Sequence, residues 1–132
     1  MKAGSRYLVD SSAWIEYLFG TNEGKKAAQF IEKPENTIIT PNIVLAEVVS
    51  KYCRLGEDPT DAIASISSLS TEIMERRDVY ETAGMKHAEL RRKYKSIGLA
   101  DCIVLAIAEK EDAIIITKDH HLSEKNAINL RK

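Results

Sequence analysis

The stretch LADCIVLAIAEKEDAIIITKD, Leu99 to Asp119, places a nearly all-apolar helical pattern over Leu99 to Glu111 directly before the strongest strand signal in the chain, Ala113 to Thr117. Outward from there, helices and strands alternate. Tyr7 to Val9 is a short apolar strand ending at Asp10, and either Ser11 or Ser12 is placed to cap a helix that carries Trp14, Ile15, Leu18 and Phe19 and stops at Gly20. A helix from near Asn22 to Lys33-Pro34, a strand from Thr37 to Thr40 and a helix from Pro41 to about Leu55-Gly56 follow. Beyond them the pattern predicts a helix over Asp61 to Leu69, a short edge strand over Glu72 to Arg76, a charged helix over Asp78 to Tyr94 and a weak last strand around Ala127 to Leu130. Such alternation implies right-handed crossovers, hence an α/β fold: three α/β/α layers with a central, mostly parallel sheet.

At 132 residues the chain has room for one compact domain, expected over 1–132. Its 19 basic and 20 acidic residues nearly cancel, so a nucleic-acid face must be local rather than a property of the whole chain. A composition of 30% charged and 44% hydrophobic residues is that of an ordinary globular protein. No apolar stretch approaches the ~20 residues of a spanning helix, and the N-terminus lacks the apolar core of a signal peptide, so a cytoplasmic location without membrane contact is expected. Cys53 and Cys102 lie in apolar-patterned helices without metal or redox spacing, which predicts two reduced, buried thiols.

Four acids stand out by position. Asp10 and Asp119 close apolar strands, and in open α/β sheets ligand sites form outside the carboxyl ends of strands, so the fold predicts that these two meet. Glu47 lies among Ile43, Val44 and Val48, and Asp101 lies three, four and seven residues before Val104, Leu105 and Ala108. Burying either carboxylate alone would cost several kcal/mol. The plainer account makes Asp101 a first-turn acid favoured by the helix dipole and Glu47 a rim residue. Clustered carboxylates, however, resist ionising together unless a cation holds them. Oxygen-only ligands select hard Mg²⁺ or Mn²⁺, and such an ion activates water and clamps phosphate oxygens, which implies phosphodiester hydrolysis.

Asp10-Ser11-Ser12-Ala13-Trp14, Leu45-Ala46-Glu47-Val48-Val49, Leu99-Ala100-Asp101-Cys102-Ile103 and Thr117-Lys118-Asp119, in this order, resemble the PIN domain, most closely the small toxin ribonucleases of the VapC type. The resemblance covers nearly the whole chain and implies an endoribonuclease dependent on Mg²⁺ or Mn²⁺. It implies Asp10 and Asp101 as the most direct metal ligands, Glu47 and Asp119 as completing the catalytic pocket, and Ser11 and Thr117 as supporting hydroxyls. It further implies an RNA substrate, a homodimer and a small VapB-type antitoxin that threads a segment over the pocket. For Ser11 the competing role is a helix cap, and for Thr117 an ordinary β-branched strand residue.

Lys118, His120 and His121, beside Asp119, are candidates for RNA contact, although a loop position explains them equally. Lys86, His87, Arg91, Arg92, Lys93 and Lys95 read as a solvated helix face. His120-His121 lacks the i, i+4 spacing of a helical zinc motif, which argues against zinc. Trp14 and Tyr17 suit core or interface packing.

Two alternatives share a short α/β domain with an acidic pocket. A receiver-type signalling module needs an acidic pair near the first strand end and an Asp after the Thr37 to Thr40 strand, and the sequence offers neither. A haloacid-dehalogenase-like phosphatase needs an acid where Ser12 stands. A non-catalytic, RNA-binding PIN-like domain would have lost pocket acids, and all four positions are acidic here.

Overall fold

The computed structural model describes residues 4–122 and 127–132. Its sheet has four strands, β1 (Arg6–Val9), β2 (Thr37–Ile39), β3 (Ile114–Thr117) and β4 (Ala127–Asn129), in the order β2-β1-β3-β4 with every pairing parallel. Six α-helices flank it: α1 (Ser11–Phe19), α2 (Asn22–Ile31), α3 (Asn42–Arg54), α4 (Thr60–Leu69), α5 (Arg77–Leu90) and α6 (Leu99–Lys110). The expected α/β/α arrangement is therefore realised, with a sheet that is wholly parallel.

Parallel strands covered on both faces leave no place for polar alternation. Accordingly Leu8, Val9, Ile39 and Ile116 are all fully buried. Each helix contributes one apolar stripe. On α3 it is Val44, Val48 and Tyr52, four residues apart, and on α6 it includes Cys102, Ile103, Val104 and Ile107. Trp14 is buried in the core and its indole N–H donates to Thr40 Oγ1 at 3.0 Å, which ties α1 to the end of β2. Gly20 ends α1 in the left-handed region (φ 69°), the conformation expected of it. Gly24 serves a close approach: a Cβ there would lie 2.0 Å from the carbonyl oxygen of Glu16, so α1 and α2 pack backbone to backbone.

Several local expectations are corrected. Asp10 itself, rather than Ser11 or Ser12, caps α1, accepting from the Ala13 N–H at 2.9 Å. Glu72 to Arg76 forms no strand. Only Thr71 bridges to Ile39, and the chain then turns its polar groups elsewhere: Glu75 accepts from the Asn42 N–H at the start of α3, at 2.8 Å. The charged helix α5 stops at Leu90 instead of reaching Tyr94, because the N–H groups of Arg92 and Lys93 bond three residues back and tighten the chain out of the α-helix. Cys102 is buried and unbridged as expected, but Cys53 is exposed. It follows Tyr52 by one residue, about 100° around the helix from the buried stripe.

Candidate metal centre

From β1 the chain builds β2 on one side and later returns to build β3 on the other, so the crevice between β1 and β3 is the topological switch point of the sheet. Asp10 follows β1 and Asp119 lies two residues past β3. The main chain of Asp10 continues the ladder, its N–H donating to Ile116 O at 3.1 Å. One step beyond the Val9 to Ile116 pair, Asp10 thus stands beside Thr117.

Asp10 is only 4% exposed. Its Oδ1 accepts from Ser12 Oγ at 2.7 Å and from the Ala13 N–H at 2.9 Å, while Oδ2 accepts from the Thr117 hydroxyl. Those three donors favour the carboxylate, yet burial outweighs them, and with a contribution from the Asp119 charge the carboxyl is pushed up to about 6. Thr117, fully buried, also accepts from the Asp119 N–H at 2.9 Å, so one hydroxyl sets the positions of two of the acids.

Glu47 and Asp101 come from helices α3 and α6. Glu47 is half-buried on α3; burial raises its carboxyl, a hydrogen bond from Ser11 opposes this, and the charges of Asp101, Asp10 and Asp119 raise it further. Asp101 stands at the third position of α6, where it accepts from the Gly98 N–H at 3.2 Å. The four acids therefore share one electrostatic neighbourhood. Asp10, Glu47 and Asp101 each accept from a hydroxyl or an N–H of the chain's own, Asp119 is placed through its main-chain N–H, and each acid lies at an element end or on a helix flank.

Of the hydroxyls singled out from sequence, Ser11 meets Glu47 and Thr117 meets Asp10. The sequence reading missed Ser12, whose Oγ donates to Asp10 and accepts from the Lys118 N–H at 2.9 Å, linking α1 to the segment after β3. Lys118 reaches the same side but its ammonium is paired with Glu16 at 2.7 Å. His120 is 84% exposed, with Nδ1 4.0 Å from Asp119 Oδ1. The His121 side chain lies outside the described residues. Beside the acids opens a groove of about 580 Å³, lined among others by Ser12, Glu16, Glu47, Lys51, Arg54 and Lys118.

The donor chemistry fits a hard divalent ion. Asp10 is a buried carboxylate without a cationic partner among the described residues, and its Oδ2, with one hydrogen bond, retains acceptor capacity for an ion. Among the described residues no three His, Cys, Asp or Glu side chains close on one ion by themselves. The oxygen-only donor set itself suits Mg²⁺, which takes one or two carboxylates directly and keeps several waters.

Fold and site together define a parallel α/β domain with an acidic crevice at its switch point. The family model described as the PIN domain matches residues 7–128, and the chain belongs to that family. Solved structures agree in fold. A toxin–antitoxin complex from Klebsiella pneumoniae shares 24% identity over 94% of this chain and 97% of that one, with a TM-score of 0.66. VapBC2 from Rickettsia felis, bound to a DNA fragment of its promoter, aligns at 19% identity over 94% and 96% of the two chains with a TM-score of 0.72. VapC20 from Mycobacterium tuberculosis, described as a toxin cleaving the sarcin-ricin loop, aligns at 20% identity over 89% and 92% with a TM-score of 0.65. A search of curated protein sequences gave no match.

Proposed function

We propose that the chain is a metal-dependent endoribonuclease, a single nuclease domain that hydrolyses RNA phosphodiester bonds as the toxin of a VapBC-type pair. The observation that carries this reading is the gathering of Asp10, Glu47, Asp101 and Asp119 around the β1/β3 crevice, with Asp10 buried and, among the described residues, without a cationic partner. Membership of the PIN family, typically nucleases that bind divalent metals, supports it.

Asp10 and Asp101 would hold Mg²⁺ or Mn²⁺ most directly, with Glu47 and Asp119 completing the site. When bound, the ion supplies water activation and charge neutralisation at the scissile phosphate. The chain's own residues do the positioning. Thr117 and Ser12 fix the Asp10 carboxylate in one orientation, Ser11 holds Glu47, and the Gly98 N–H holds Asp101. Preset in this way, the acids need no rearrangement when substrate arrives. The cytoplasm, a homodimer and a VapB-type antitoxin complete the proposal. Solved relatives crystallised as toxin–antitoxin complexes support the partner, and no described helix is long and apolar enough to cross a membrane.

The test is cleavage of end-labelled RNA by the purified chain with Mg²⁺ or Mn²⁺. Activity should vanish with EDTA and in Asp10→Asn and Asp101→Asn. Cleavage that persists in both variants, prepared free of contaminating nuclease, overturns the assignment.

A further inference from the structure

Helix α3 carries more toward the crevice than Glu47. Ser50, Lys51 and Arg54 lie three, four and seven residues after it, the spacing of one helix stripe, and all four line the same groove. At 1.5 Å per residue, Lys51 and Arg54 stand about 6 Å and about 10 Å along the helix from the acid.

Their electrostatic state separates them from Lys118. Lys118 faces the groove already neutralised by Glu16 at 2.7 Å. Lys51 and Arg54 have no acidic partner within 4.0 Å among the described residues, and the guanidinium of Arg54 makes only a 3.4 Å contact with Ser50 Oγ. One groove thus runs from Glu47, the one of the four acids that lines it, to the two cations Lys51 and Arg54. Ile15 and Ala46 line it as well and offer an apolar wall.

We infer that Lys51 and Arg54 form a phosphate track that binds the backbone of single-stranded RNA on one side of the cleaved bond. The inference rests on the ribonuclease reading and adds to it the residues that grip substrate away from the chemistry. An acidic protein segment would also meet two cations. The continuity of the cations with the acid pocket along one helix stripe favours a strand whose charges recur at regular steps.

The experiment compares wild type with Lys51→Gln/Arg54→Gln and with Lys33→Gln/Lys110→Gln, a control at the opposite ends of the strands. Cleavage of a short single-stranded RNA gives KM and kcat. Binding of the same RNA to each protein in an Asp101→Asn background gives the salt dependence. The track predicts a KM raised about tenfold with kcat within about twofold, and a plot of log affinity against log salt flatter by about 1 to 2, roughly one for each phosphate no longer neutralised. The control should match wild type, and matched thermal melting should show all three folded. Wild-type cleavage with unchanged KM and salt slope in the Lys51/Arg54 variant overturns the track, and with it leaves those cations to a protein partner. A wild type that neither binds nor cleaves RNA overturns the ribonuclease reading itself.

Discussion

The hydroxyl of Thr117 donates to Asp10 Oδ2 and accepts from the Asp119 N–H, so neighbouring parallel strands fix two acids through one buried side chain. Thr117→Val keeps the strand shape and removes both bonds. We expect a 10- to 100-fold loss of cleavage, as for other residues that orient metal ligands, and a stability loss of about 1–3 kcal/mol by urea denaturation. Thr117→Ser should restore most of the activity, and a fully active Thr117→Val would show that the hydroxyl is only strand filling.

Burial makes ionised Asp10 costly in protein stripped of metal. Its folded-state carboxyl titrates at about 6, above the ordinary 3.8. A raised carboxyl pKa means the folded state binds the proton more tightly, so stability falls as pH rises from about 4 through 6, by up to about 3 kcal/mol. In EDTA, the melting temperature should therefore drop across that window, and Asp10→Asn should remove this component while abolishing cleavage. A variant with the same pH dependence as wild type would contradict it.

Glu16 behaves in the opposite sense. Its pairing with Lys118 holds the carboxyl below its ordinary value, so its contribution is complete above about 4.5 and fades as pH falls through the folded-state value. Glu16→Gln should cost roughly 1 kcal/mol at pH 7 and progressively less in acid. It also frees Lys118 to face the groove, and RNA affinity at low salt should rise.

Gly24→Ala tests the seating of α1, whose N-terminus carries Asp10 and Ser12. The added methyl meets the Glu16 carbonyl at 2.0 Å, and both partners are helix backbone. A loss of about 1–3 kcal/mol is expected from forced separation of the helices. An unchanged unfolding midpoint would mean that α2 shifts freely.

Much of this site was legible because its acids interrupt strong apolar patterns. Asp10 and Asp119 close continuous apolar strands, and Asp101 begins the most apolar helix. Their partners were harder to read. Asp10 displaces Ser11 and Ser12 as the helix cap because the carboxylate sits at the strand-to-helix corner, and Ser12 is then free to bridge to Lys118 across 106 positions. Glu75 capping α3 is equally non-local. Cys53 and the stripe Glu47, Lys51, Arg54 were different: helical periodicity contains both, and the apolar spacing of α3 drew the reading to its buried side.

The central claim is that four acids from separate elements make one hard-cation site. Counting bound Mn²⁺ by electron paramagnetic resonance in the wild-type chain, Asp10→Asn and Asp101→Asn tests it most directly. The account predicts saturable Mn²⁺ binding displaced by Mg²⁺ in wild type and affinity reduced at least about tenfold in each folded variant. Equal Mn²⁺ binding by all three proteins would contradict it.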